Sequence, residues 1–445
     1  MIYQKLDPAD KVLFSLTCKQ FHTWLREQSQ QIEQQVIYEH ESPIKRGTIP
    51  STVTSLTFND SFHIAIPPGK LPSSITSLKF GAKYNRMFKK EVLPDNLIEL
   101  TFGNSFNRHI DDDSFPTSLR TLSFGQGGQF MNSFNMKLTK RTLPRELTSL
   151  TLGAAYRHPM EAGVLPPALC YFDFSFNAVL NHQVLPSSLR TLKYMRQLPE
   201  NFVYPRSLTE LSVYRQPTTA PARIKLLSFI SASIPAPVAL PPTLTYLSVE
   251  NMVIAPRSLP QELQVLEFGP VFNQVIEEHI LPVSITTLRF GAKYNQHINP
   301  AHLPSALTSL SFDNCNFQLH TPNSLPNSLR RLKICSSPSD QEYTSTGKPF
   351  REAKLTSLTV DLTGEEKFHE FVTLNLPRLV LAFPTITTFI LTHSTLDKEC
   401  ILRMTAEGGV VVATHQYDHS VPSAFRFLTR DQLLEAPDHN DNEAT

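Results

Sequence analysis

The stretch Pro72-Ser73-Ser74-Ile75-Thr76-Ser77-Leu78-Lys79-Phe80-Gly81 decides the fold, because its frame returns along most of the chain. A proline is followed three residues on by an aliphatic residue, three further by Leu, and two further by Phe. Pro94, Leu97, Leu100 and Phe102 make the next copy, and Pro116, Leu119, Leu122 and Phe124 the one after. Pro50, with Val53, Leu56 and Phe58, opens the series. It resumes at Pro144, Pro166, Pro186, Pro205, Pro221, Pro241, Pro260, Pro282, Pro304 and Pro326. A fifteenth copy with Leu355, Leu358 and Val360 lacks the proline. The interval is 22 residues three times running from Pro50 to Pro116, and three times again from Pro260 to Pro326. Chance does not produce that spacing, which lies within the period of leucine-rich-type coils.

Each copy makes local physical sense. Leu and Phe two residues apart share one face of a strand. The Ser and Thr between them suit a pleated, half-exposed surface. Proline has a fixed φ and no N–H, so it belongs in the turn leading into the strand. The Gly of Phe80-Gly81, Phe102-Gly103, Phe268-Gly269 and Phe290-Gly291 is expected to let the chain turn a corner. A second aromatic with Asn follows in Tyr84-Asn85, Phe106-Asn107, Phe272-Asn273 and Tyr294-Asn295. The ring would fill the coil interior, and the Asn would bond backbone groups that the turn leaves unpaired.

One such coil cannot bury its apolar face alone, but stacked coils can. The expectation is therefore a leucine-rich-repeat-like solenoid. It would stack short parallel strands in about fifteen coils of roughly 22 residues, with a small α-helical module at the N-terminus. The return side is too short and proline-rich for helix. Phe80, Phe102, Phe124, Phe268, Phe290 and Phe312 should form a buried ladder. From Pro166 to Pro260 the intervals shorten to 20, 19, 16, 20 and 19, and the Gly and most aromatic–Asn pairs disappear. Segments 125–143 and 335–352 read as loops. The organisation expected is a helical segment at 1–40, a solenoid at 48–334, the loop at 335–352, divergent coils and a cap at 353–428, and an acidic, disordered tail at 429–445.

Composition narrows the partners. Forty-one Lys and Arg against 40 Asp and Glu give a net charge of +1, which offers polyanions no general attraction, so nucleic acid is not expected. Cys18, Cys170, Cys315, Cys335 and Cys400 are odd in number and form no CxxC pair. That argues against a disulfide framework or structural zinc, and for a reducing, cytoplasmic setting. No apolar run approaches the ~18 residues of a membrane span, and the first residues do not read as a leader. Glu366-x-x-His369 has the spacing of a carboxylate metal motif but no second copy. Asp418, His419 and Ser420 are neighbours in sequence, which does not line up an acid, a base and a nucleophile. No catalytic residue, metal or cofactor is expected.

The aromatic–Asn repeats resemble the FNIP repeat family, which is related to leucine-rich repeats. The resemblance spans roughly 50–334 and is clearest at Phe272-Asn273-Gln274-Val275-Ile276 and Phe106-Asn107-Arg108-His109-Ile110. Some proteins with these repeats carry an F-box ahead of them. Residues 6–21, from Leu6-Asp7-Pro8 to Lys19-Gln20-Phe21, resemble the central and later part of an F-box. The resemblance implies docking on the Skp adaptor of a cullin ubiquitin ligase through Leu6, Pro8, Leu13, Leu16, Phe21 and Trp24. Read from the residues alone, Asp7 caps a helix, Pro8 takes its first position, and the apolar side chains form its stripe. A helical cap over the end of the stack has the same pattern.

The binding residues are sought where the strands depart from Ser and Thr. Regular coils carry Ser55 and Thr57, Thr121 and Ser123, Ser149 and Thr151, or Ser309 and Ser311 on the outer face. Between Pro166 and Pro304 these positions become Tyr171 and Asp173, Lys193, Glu210, Tyr246, Val265 and Glu267, then Arg289. Tyr and Arg are the residues that most often carry interface energy. The expected site is a protein-binding patch on the strand face centred near Tyr171, Tyr246 and Arg289. Relaxed selection on degenerate coils is the other account of the same change. The sequence thus reads as the substrate-recognition subunit of a cullin-type ubiquitin ligase, or as a repeat scaffold with no ligase link.

Overall fold

A computed structural model describes residues 35–38, 43–45, 47–125, 132–174, 180–194, 198, 202–214, 220–229, 240–250, 254–314, 325–336, 355–362, 386–393, 398–404, 409–416 and 424–429. Of the expected helical segment at 1–40 only residues 35–38 are described, and they form a β-strand rather than a helix; its adaptor-docking residues Leu6, Pro8, Leu13, Leu16, Phe21 and Trp24, the Glu366 and Asp418 motifs and the acidic tail beyond Thr429 lie outside these residues. The chain divides into two compact units, residues 1–213 and 214–445.

The first unit holds β1 (Gln35–Tyr38), β2 (Ser55–Phe58), β3 (Ser77–Lys79), β4 (Glu99–Phe102), β5 (Thr121–Phe124), β6 (Ser149–Leu152), β7 (Tyr171–Phe174), β8 (Thr191–Tyr194) and β9 (Glu210–Val213). Each pairs in parallel with the next, and the frame positions are in register: Leu56, Leu78, Leu100, Leu122, Leu150, Phe172, Leu192 and Leu211 form one row. The second unit holds β10 (Leu226–Phe229), β11 (Tyr246–Val249), β12 (Val265–Phe268), β13 (Thr287–Phe290), β14 (Ser309–Phe312), β15 (Arg331–Ser336), β16 (Ser357–Leu362) and β17 (Thr388–His393), again parallel in chain order. Then the direction alternates: β18 (Lys398–Met404), β19 (Gly409–Gln416) and β20 (Ala424–Thr429) form an antiparallel meander on β17. The protein is a parallel β-solenoid, and β2 to β16 are the fifteen strands of the sequence frames. The described residues contain no α-helix, and the return side is extended apart from two short 3₁₀ turns, His182–Val184 and Pro300–His302. β15 runs to Ser336 and so takes in the first two residues of the expected 335–352 loop.

The prolines act through their carbonyls. In all fourteen proline coils the Pro C=O accepts the N–H of the aliphatic residue three on, as Pro116 does from Leu119 at 3.1 Å, closing the turn into the strand. The residue just before that aliphatic locks the turn to the coil behind. Ser74, Ser118, Ser188, Ser284 and Ser328 donate their hydroxyls to the carbonyls of Val53, Leu97, Leu169, Leu263 and Leu307 at 2.6–2.7 Å.

The core is a double column of rings. Phe58, Phe80, Phe102 and Phe124 stack with centroids 5.2, 5.5 and 5.5 Å apart, and Phe268, Phe290 and Phe312 at 5.4 and 5.3 Å. The return side supplies the second column: Phe62, Tyr84, Phe106, Phe134 and Tyr156 follow at 6.0–6.4 Å. Within a coil the two rings stack closely, 3.9 Å for Phe102 and Phe106. These rings are almost wholly buried.

The glycines and asparagines hold this spacing in a way the sequence left open. A Cβ on Gly103 would lie 1.9 Å from the carbonyl oxygen of Gly81, and one on Gly291 would lie 2.2 Å from that of Gly269. Close approach of successive coils, not a left-handed corner, is therefore what excludes a side chain there. The Asn side chains bond between coils. Asn85 Oδ1 accepts the N–H of Asn107, Asn107 that of Asn135 and Asn135 that of Arg157, at 2.9–3.0 Å, and Asn273 accepts that of Asn295. A left-handed residue stands three before the proline: Gly47, Gly69 and Gly163, but also Glu91, Asp113, Arg257 and His279, with φ of 60–82°.

Candidate interaction surface

Strands of these coils point Leu and Phe inward, so the first and third positions of each strand face out. Two groups of non-Ser/Thr residues occupy them, one in each unit. In the first unit Tyr171 and Asp173 lie on β7, in register with Thr191 and Lys193 on β8, and Thr191 is in register with Glu210 on β9. The Tyr171 hydroxyl donates to Asp173 Oδ2 at 3.5 Å, and the Lys193 ammonium sits 5.4 Å from the Tyr171 ring centroid. That is within the range of a cation–π contact. Thr191 donates to Glu210 Oε2 at 2.9 Å. Burial raises the Asp173 carboxyl above the usual carboxylate range, with the Lys193 ammonium opposing it.

In the second unit the Tyr246 hydroxyl donates to Glu267 Oε2 at 2.7 Å. Burial, then Glu267, pushes the Tyr246 phenol up to about 12. Arg289 donates through Nε and Nη2 to Asp313 Oδ2 at 3.0 and 2.7 Å, and Lys333 Nζ stands 3.7 Å from Asp313 Oδ1. The Arg289 side chain is 47% exposed and that of Asp313 25%, so the cation remains accessible while the carboxylate is mostly covered.

The candidate residues thus fall as Tyr171, Asp173, Lys193 and Glu210 on one unit, and Tyr246, Glu267 and Arg289 on the other. Within each unit they touch along the strand face. Three members are new. Asp313 follows the Phe of β14, and Arg331 and Lys333 lie on β15, beyond the Pro166–Pro304 window. Continuing the strand frame to the Pro326 coil would have found the two cations. Leu226, at the first position of β10, is inside the window and is half-buried on the outer face.

Among the described residues no group of three or more His, Cys, Asp or Glu is arranged to hold a metal ion, and no helix is long and apolar enough to cross a membrane.

The ladder of parallel strands on a 22-residue period defines a repeat protein of the leucine-rich type. More particularly, the family model described as FNIP Repeat matches residues 40–83, 84–127, 134–175, 251–293 and 294–337. Those blocks each span two strands and leave out β8 to β11. Among solved structures the chain is similar to one titled "The crystal structure of CroV588 a novel circular LRR protein structure", with 29% identity and a TM-score of 0.47. The match covers 74% of this chain and 56% of that one, so this chain spans a little over half its length. Comparison with curated proteins finds no match.

Proposed function

We propose that this protein is an interaction scaffold whose strand face holds a protein target, and that it serves as the target-recognition subunit of a cullin-type ubiquitin ligase. One observation carries the first part. The outer strand positions, Ser and Thr in the regular coils, become tyrosines and charged residues in two groups, while the inward positions stay apolar and buried. A stack that needs only stability has no use for that change, whereas an interface gains aromatic and Arg anchors from it. The ligase link rests on the F-box resemblance of residues 6–21, with Leu6, Pro8, Leu13, Leu16, Phe21 and Trp24 as its Skp-adaptor contacts.

The two parts are tested separately. Purified Skp adaptor should be retained by the full chain and lost when residues 1–40 are removed. Retention by neither form leaves a scaffold without a ligase link. Tyr171, Tyr246 and Arg289 replaced together by Ala should lose a captured target that survives replacement of Ser55, Thr121 and Ser309. Equal binding by the two folded variants would place the target elsewhere.

A further inference from the structure

The strand face of residues 214–445 changes character from coil to coil. At the first strand position β10, β11 and β12 carry Leu226, Tyr246 and Val265, which are in-register neighbours and half-buried. The corresponding residues of β13 and β14 are Thr287 and Ser309. Three adjacent apolar side chains on the outer face of a solenoid form a patch with no role in its core. Toward β15 the face turns basic: β13 carries Arg289, β15 carries Arg331 and Lys333 with Arg330 just before it, and the acidic residues beside them are Asp361 on β16 and Asp313. Arg289 and Lys333 share the Asp313 carboxylate, Arg330 donates to the carbonyls of Asn327 and Leu329, and Arg331 is exposed. Glu250 and Glu267 border the apolar end, where Arg223 and Lys225 stand just before β10.

We propose that this face binds an extended acidic segment of a partner protein, with an apolar anchor on Leu226, Tyr246 and Val265 and carboxylates on Arg331 and Lys333. The proposal rests on the strand face being the interaction surface, and it adds the partner's chemistry and direction. From β11 to β15 is four strand spacings, roughly 19 Å at ~4.8 Å each. An extended chain covers that in about six residues. The ligand therefore runs across the strands, with its anchor about six residues from its acidic pair. Glu250 and Glu267 offset the cations at the anchor end, so acid is drawn to the β15 end, which fixes the orientation. Surplus cations at one end and an apolar patch at the other match such a segment at both ends.

The test uses the full chain and a phage-displayed library of random 12-residue peptides. Selected peptides are synthesised with a fluorophore and their affinity is read by anisotropy. Serine, already present at these positions in neighbouring coils, replaces each contact: Arg331→Ser with Lys333→Ser, and Leu226→Ser with Val265→Ser. The selected peptides should share an apolar residue about six positions from an acidic pair. Each double variant should weaken binding at least tenfold, with thermal midpoints close to that of the parent. Arg331 is exposed and Lys333 half-buried, neither in the core, so that variant stays informative even if the apolar one is destabilised. Peptides without acids, peptides insensitive to either double variant, or no selected peptide at all would overturn the proposal. If binding is lost instead with Tyr171→Ser and Lys193→Ser, this patch is wrong but the strand-face reading stands. If binding survives every strand-face change and is lost with Gln296→Ala on the return side, both fail.

Discussion

The regular coils of β2 to β6 and the short coils of β7 to β9 build the same strand ladder from different return sides. In the coils of β2 to β5 two rings per coil stack in two columns, with Leu152 replacing the strand ring in β6, a Gly admits the next coil, and an Asn bonds across to it. In the short coils the second column stops at Tyr156, whose ring meets Phe174 edge-on at 6.1 Å. Yet strand register continues without a slip, and the inward-outward alternation is identical. Two devices persist through both regions: the Pro carbonyl turn, and the hydroxyl bonded to the coil behind, as in Ser188 to Leu169 and Ser207 to Leu189. The strand side and its turn thus set register, while the return side supplies stability and tolerates loss. That division leaves the outer strand positions free to carry recognition.

The largest effect that tests this division is in the ring column. Phe102→Ala removes a buried ring stacked on Phe80, Phe106 and Phe124 and should cost about 3–5 kcal/mol in chemical denaturation. A cost below ~1 kcal/mol would mean that the double column does not hold the regular coils. Next comes the asparagine ladder. Asn107→Ala leaves the Asn135 N–H without its acceptor and should cost about 1–2 kcal/mol. Asn181→Ala in a short coil, where the amide oxygen only caps a local 3₁₀ turn, should cost less. Equal costs would erase the distinction between the two kinds of coil.

A smaller effect has the opposite sign. The Tyr84 hydroxyl is buried with no hydrogen-bond partner among the described residues, in a column where Phe62 and Phe106 are its neighbours. Burial raises its pKa well above the usual phenol value. Tyr84→Phe should therefore stabilise the fold by about 1 kcal/mol, read from the same denaturation curves. The smallest effect is a pH dependence at the strand face. Tyr246 holds its proton to about 12 in the folded state against 10.0 as a free phenol. Its contribution is fully present below pH 10 and is lost as the pH rises to 12. Tyr246→Phe should flatten the alkaline fall in stability across that window, and an unchanged slope would remove the Tyr246–Glu267 bond from the account.

Much of this was legible in the sequence because a repeat writes the same physics fifteen times. The Leu-x-Phe strand, the proline turn and the ring ladder follow from spacing alone. Other features depend on what one coil presents to the next, which a single frame does not contain. The Gly81 and Gly103 positions looked like corner glycines and are contact glycines. The hydroxyl of Ser74 ties two coils together, which its place in one frame does not show. The left-handed position three before proline was visible at Gly47, Gly69 and Gly163 but masked by Glu91, Asp113, Arg257 and His279 in the other coils. At the candidate surface, the departures from Ser and Thr located Tyr171, Tyr246 and Arg289. That Arg289 and Lys333 share Asp313 depends on side-chain reach across coils and could not be assigned from spacing.

The most direct test of the account places a photo-crosslinking amino acid at Val265 on the strand face or at Gln296 on the return side. Each full-length variant is irradiated in cells and its adducts are identified by mass spectrometry. The account predicts a discrete protein adduct from position 265 that is absent from position 296. Adducts from 296 alone, or the same adducts from both, would contradict a strand face specialised for recognition.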